Sequence, residues 1–323
     1  MSYAPSQLLK GKAVKGDGTH GSTIFKADVI PRENSTNINV PKWAAVKTVS
    51  PGDKTAIENL KRELQSYRLP GVASQACFRA LYDKIDDRTV TLEWLDTTLA
   101  GVSYQPNAAT YRLMAASLRA ALESCVVLDH LDYVNTDFKP ANTLCSGIET
   151  GKIMAKVLFP SGQRINVQPF AMRAPEVFLG NACTGPSQVW ATAAMILCWV
   201  KPGILGAWDS IHPLLNEAWS MAKIKRLFPE WNIPTPNQIN PRSYSLQAAV
   251  ESAERMSVER PEMQAISPLE EEAQKLVMPQ ELRNLLRFML VPGVEARPSA
   301  SVVLASKEFL AFERVAGDPK FSG

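Results

Sequence analysis

Residues 133–144 read Tyr133-Val134-Asn135-Thr136-Asp137-Phe138-Lys139-Pro140-Ala141-Asn142-Thr143-Leu144. An acid, a cation two residues on and an amide five residues on make a compact polar set. The blander reading of such a set is a polar turn after a helix, in which Asp, Pro and Asn are ordinary residues. What precedes it is strongly patterned. From Pro106-Asn107, with Asn107 placed as an N-cap, Leu113, Ala116, Ala120, Ser124 and Val127 recur at helical spacing. This predicts a helix to about Leu128 that packs that stripe and delivers the chain to the polar set.

Composition narrows the class. At 323 residues the chain can form two domains or one two-lobed domain, and 46% hydrophobic with 21% charged residues describes a globular protein with a sizeable core. The formal charge, 35 − 32 = +3, is small and dispersed, so no nucleic-acid partner is expected. Cys77, Cys125, Cys145, Cys183 and Cys198 are scattered without a C-x-x-C, which suits reduced thiols and a cytoplasmic or nuclear location. The histidines lie far apart, with no zinc spacing, and Met1-Ser-Tyr-Ala-Pro lacks the build of a signal peptide. The most apolar run, Val189 to Val200, ends at Lys201-Pro202 and is too short to span a bilayer; it predicts a buried helix and no membrane partner.

The 133–144 stretch resembles the catalytic loop of the eukaryotic protein kinases, H-R-D-x-K-P-x-N. That resemblance implies that Asp137 receives the proton of a substrate hydroxyl, Lys139 offsets phosphoryl charge and Asn142 holds magnesium. Upstream, Gly16-Asp-Gly18-Thr-His-Gly21 has the spacing of a glycine-rich loop, although a hairpin turn reads the same way. Its apolar residue is Ile24, one position late. Ser22-Thr-Ile-Phe-Lys-Ala is similar to the loop of SR-protein-kinase-like members, so either Gly21 or Ser22 stands at the third glycine site. Trp43-Ala-Ala-Val-Lys47 resembles the V-A-I-K strand, which implies that Lys47 binds the α- and β-phosphates and puts Ala45 in the cofactor-binding set. Pro51-Gly-Asp-Lys-Thr predicts a turn and cap, and Ile57, Leu60, Leu64 and Tyr67 a helix with one apolar stripe. Glu63 resembles the helix glutamate that pairs with the strand lysine, with Glu58 as its competitor. Strands are predicted around 76–85 and 89–95. The resemblance places Leu92 behind an adenine and the backbone of Glu93 to Leu95 along its edge, closing a five-stranded, one-helix lobe near residue 96.

Downstream, Arg173-Ala-Pro-Glu176 matches A-P-E, and Leu290 to Ala300 resembles the segment whose arginine pairs with that glutamate, so a buried Glu176–Arg297 pair is expected. The departures are as informative. No aspartate occurs from residue 143 to 175, where D-F-G belongs. Lys152–Val157 suits the strand before it and Phe159–Gly162 the segment after it; Glu149, the one acid in the interval, precedes the strand. Asn135-Thr136 replaces His-Arg. Gln188 replaces an aspartate that accepts hydrogen bonds from the catalytic-loop backbone, which a neutral amide does more weakly. Ala193 stands where glycine is common. Residues 200–280 predict an insert packed on the helical core, with a dedicated docking surface as the alternative: an amphipathic stretch from Trp208 to Phe228, a proline-rich connector over Pro229–Pro241, and Glu270–Glu272 at a helix N-terminus.

The expectation is an α+β, bilobal protein-kinase-like fold. It has a small five-stranded β-lobe with one helix over residues 1–96 and a larger, mainly helical lobe over 97–323. The resemblance implies ATP as cofactor, with magnesium binding weak or absent because the principal metal carboxylate is missing. The expected function is that of a pseudokinase engaging a protein partner. The alternative is an active Ser/Thr kinase acting on a protein substrate.

Overall fold

A computed structural model describes residues 7–8, 13–14, 22–30, 41–158, 168–240 and 243–317. The protein is α+β, with two antiparallel sheets and a majority of helix among the described residues. It divides into two compact units: Met1–Asp96 with Leu158–Gln163, and Thr97–Val157 with Arg164–Gly323.

The first unit holds β1 (Gln7–Leu8), β2 (Ala13–Val14), β3 (Ser22–Ile30), β4 (Trp43–Val49), α1 (Lys54–Tyr67), β5 (Leu81–Lys84) and β6 (Thr89–Glu93). Its sheet runs β1-β3-β4-β6-β5, with β2 also on β3. Six strands stand among the described residues where five were expected. The nine-residue β3 is long enough to pair with two separate short segments, Gln7–Leu8 against Val29–Ile30 and Ala13–Val14 against Ile24–Phe25. β5 starts five residues later than the predicted 76, and its register shifts between Leu81 and Asp83.

Pleating sorts the side chains onto two faces. Ile24 opposes Lys47, Lys26 opposes Ala45, and Ala45 opposes Leu92, so these share one face with Trp43 and Val90. α1 covers part of that face through a core of Ala45, Val49, Ala56, Leu60, Leu64, Tyr67, Val90 and Leu92. The helix begins at Asp53, whose carboxylate accepts the Ala56 N–H at 2.9 Å. Its buried stripe includes Ala56 and Glu63, while Ile57 is only half-buried.

The second unit opens with β7 (Thr97–Thr98) and α2 (Ala108–Asp129), followed by β8 (Thr143–Ser146) and β9 (Met154–Val157). These three strands form the second sheet, in the order β7-β8-β9. Helices follow: α3 (Pro175–Phe178), α4 (Gly185–Val200), α5 (Asn216–Leu227), α6 (Tyr244–Glu259), α7 (Pro261–Gln264), α8 (Leu269–Gln274), α9 (Gln280–Met289), α10 (Ala300–Ala305) and α11 (Lys307–Gly317). Asn107 caps α2 in a capping box with Thr110. α2 packs against α4, α10, α11 and β9, so it is buried nearly all round. Leu113, Ala120 and Ser124 are buried as predicted, but Ala116 and Val127 are half-buried, and Met114, Leu118 and Leu122 join the core. The apolar run of α4 is almost wholly buried, and no described helix is long and apolar enough to cross a membrane.

The stretch from Trp208 is not one helix. His212-Pro213 opens a 3-10 turn over Pro213–Leu215, and α5 starts only at Asn216, leaving Trp208, Ile211 and Leu214 exposed. The buried side of α5, with Trp219, Met221 and Ile224, does pack into the core.

Candidate functional site

In the first unit Lys47 projects from β4 and Glu63 from α1, and Lys47 Nζ donates to Glu63 Oε2 at 2.6 Å. The alternation of β4 puts Lys47 on the face that α1 covers, and the helical period puts Glu63 one turn after Leu60 on the inner side. Glu58 is exposed and meets only Lys61, at 3.8 Å. The glutamate that reaches the strand lysine is therefore Glu63. Tyr67, one turn further along, is buried, with no hydrogen-bond partner for its hydroxyl among the described residues. Burial first, and then the charge of Glu63, push its pKa well above the ordinary phenol value.

Ala45 and Leu92 are fully buried and Leu95 nearly so. The backbone of Glu93 is already engaged. Its N–H donates to Ala80 O at 2.8 Å, and its carbonyl accepts Arg79 Nε at 2.8 Å. Its side chain accepts the Ala80 N–H at 3.0 Å. The residue that meets this carbonyl, buried Arg79, carries no motif and escaped the sequence reading. The backbone N–H of Leu95 has no hydrogen-bond partner among the described residues. Gly16, Gly18 and Gly21 lie outside the described residues; Ser22 is the first residue of β3.

In the second unit the polar set closes on itself. Lys139 Nζ lies 3.0 Å from Asp137 Oδ1 and 3.1 Å from Oδ2. Asn142 Nδ2 donates to Asp137 Oδ2 at 2.7 Å and to Asp137 O at 2.9 Å. Pro140–Asn142 is a 3-10 turn, which brings the amide back over the acid. Beneath it, Asn135 Oδ1 accepts the Asp137 N–H at 3.0 Å, and Gln188 Oε1 accepts the Asn135 N–H at 2.6 Å. Gln188 thus receives the loop-backbone bond expected at that position. Its Nε2 is buried and unpartnered among the described residues, since an amide brings a donor that a carboxylate would not.

The chain re-enters the described region at Gln168. Its Nε2 donates to Ser187 O at 3.1 Å, its Oε1 accepts the Ala174 N–H at 2.9 Å, and its carbonyl accepts Arg173 Nε and Nη2. No motif marks a lone glutamine, so sequence reading passed over this anchor. The expected Glu176–Arg297 pair is present and bidentate, at 2.7 and 2.9 Å.

Magnesium demands a near-octahedral oxygen set at about 2.0–2.1 Å. Asn142 Nδ2 and Lys139 already occupy the Asp137 carboxylate, leaving the Asn142 amide oxygen as the neighbouring ligand. No group of three or more His, Cys, Asp or Glu that could hold a metal occurs among the described residues. Burial pushes the thiols of Cys145 and Cys198 up to about 12 and that of Cys183 to about 11, so they stay protonated and unreactive at neutral pH. Compared with known proteins, the chain matches no protein-family model and no curated protein sequence.

Proposed function

We propose that this chain is a protein-kinase-like domain that binds ATP weakly, transfers phosphate poorly if at all, and acts as a pseudokinase through a protein partner. The observation that carries the proposal is the self-contained Asp137–Lys139–Asn142 cluster, with no aspartate following it as far as residue 175. A carboxylate that should meet a substrate hydroxyl is present, but the charge needed to hold a metal against the phosphates is not. Phosphoryl transfer depends on positioning and on neutralising that charge. The Lys47–Glu63 pair supports phosphate binding in the first unit, because the glutamate holds the ammonium in one place.

The test is thermal stability with ATP, with and without magnesium. A small stabilisation, indifferent to chelation and lost in Lys47→Met, is expected. A large shift abolished by chelation would refute the metal-poor reading, and no shift would remove nucleotide from the account. The retained Asp137 and Lys139 favour a second reading, an active Ser/Thr kinase. Turnover in the family's range of roughly 1–100 s⁻¹, abolished in Asp137→Asn, would establish it.

A further inference from the structure

On the face that carries Lys47, side chains cross the first unit's sheet in rows. Ile24, Lys47 and Val90 make one row, and Lys26, Ala45 and Leu92 the next. Ala45 and Leu92 are the sheet residues that the nucleotide reading sets against a base, so the β3 end of that row is a lysine. Lys26 is half-buried, and its Nζ lies 4.3 Å from the Trp43 ring centroid and 4.7 Å from that of Trp94. Lys42 Nζ is 5.1 Å from the Trp43 centroid as well, so that indole carries two cations. Trp94 Nε1 donates to Asp96 Oδ1 at 3.2 Å, which fixes the second ring. Asp28, opposite Trp43, is exposed and forms no ion pair with Lys26 among the described residues. Cation–π attraction to the two indoles is what holds this ammonium.

The row is also closed. Ala45 and Leu92 are both 0% exposed. An indole face is a surface on which any nucleobase stacks, but here the faces are already in use. A base reaches this row, or either ring, only by displacing what lies there. Each cation–π contact at a partly exposed site is worth roughly two- to fivefold in an equilibrium constant, and a base that ousts Lys26 loses two of them.

We propose that Lys26, clasped by Trp43 and Trp94, is a built-in occupant that holds the base seat of this sheet shut, and that withdrawing it opens the seat to nucleotides. The inference rests on the nucleotide-binding reading above and supplies a cause for its weakness. Calorimetry in chelator, with ATP and with adenosine, compares the full chain with Lys26→Ala and Lys26→Gln. Adenosine has no phosphates, so it reports on the base seat without the effect of losing one positive charge. Lys26→Ala should bind both ligands at least about fivefold tighter than the wild type, the lower end of two relieved cation–π contacts. Removing a cation by itself weakens the binding of an anion, so a gain for ATP is a result that charge alone does not produce. Lys26→Gln keeps the side-chain length but not the charge, and it should move affinity the same way even if the alanine unsettles β3. Lys26→Arg should stay closed, because a guanidinium stacks on indoles as well as an ammonium does. Lys26 lies outside the α1 core, so unfolding midpoints should stay near that of the wild type. Unchanged or weaker binding in both neutral variants, with ATP still bound by the wild type, would overturn the occupant and leave nucleotide binding standing. A gain for ATP without one for adenosine would place the effect at the phosphates and overturn it too. Failure of the wild type and every variant to bind either ligand would refute both readings.

Discussion

Arg297 has every guanidinium N–H directed at an acceptor. Nε meets Val291 O at 2.7 Å, Nη1 meets Glu176 Oε1 and Pro186 O, and Nη2 meets Glu176 Oε2 and Pro292 O. The plane also lies 5.2 Å from the Trp190 ring centroid. Both charged partners are buried, so neither has water to fall back on. Arg297→Met should therefore cost about 3–5 kcal/mol, because Glu176 is left as an uncompensated buried charge. Arg297→Lys should recover only part of the loss, since an ammonium cannot reproduce the fork. Pairing Arg297→Met with Glu176→Gln should be milder than the sum of the two. Chemical denaturation midpoints of the four proteins decide it, and strictly additive losses would contradict the coupling.

At the scale of an element, α8 shows how a charge cluster divides its labour. Glu270, Glu271 and Glu272 all lie in its first turn, as the helix dipole favours. Glu270 meets Arg287 at 2.8 Å on the surface, a contact of little worth. Glu272 turns inward, where Lys201 Nζ at 2.5 Å, Lys275 Nζ at 2.8 Å and the Ser267 N–H at 2.9 Å surround it. Burial alone would raise its pKa, but these donors outweigh it and hold the carboxyl at about 2, below its ordinary 4.5. A depressed folded-state value means that the unfolded chain takes up the proton first as pH falls. The contribution is thus complete above about pH 4.5 and lost progressively toward pH 2. Glu272→Gln should flatten that part of the stability curve and lower the plateau above it. An unchanged acid limb would show that the lysines do not hold the charge. The sequence placed this cluster on a helix N-terminus, but Lys201 lies 71 residues away, and no spacing rule connects the two.

For the whole molecule, β9 ends at Val157 in register with Thr143, so the strand that would lead into a metal-binding segment is intact. Phe159–Gly162 lies outside the described residues. Inserting a short block bearing Asp-Leu-Gly after Val157 should make nucleotide binding magnesium-dependent and create phosphotransfer to a basic protein. Inactivity of the insert, with a wild-type unfolding midpoint, would show that the missing aspartate is not the sole defect. The sequence by itself determined the periodic and paired features: the capped α2, the buried apolar α4, the strand–helix partners Lys47 and Glu63, and the distant Glu176 and Arg297. It also fixed the absence of aspartate between 143 and 175, which no folding can alter. These are legible because helical and strand periods are local, and because a motif names its own partner. Tertiary structure alone decided which donors and acceptors were already spent. It gave the Glu93 carbonyl to Arg79, the Asn135 N–H to Gln188, the Ala174 N–H to Gln168 and the faces of Trp43 and Trp94 to Lys26. Such commitments depend on distances between residues far apart in the chain, which no local period or spacing supplies.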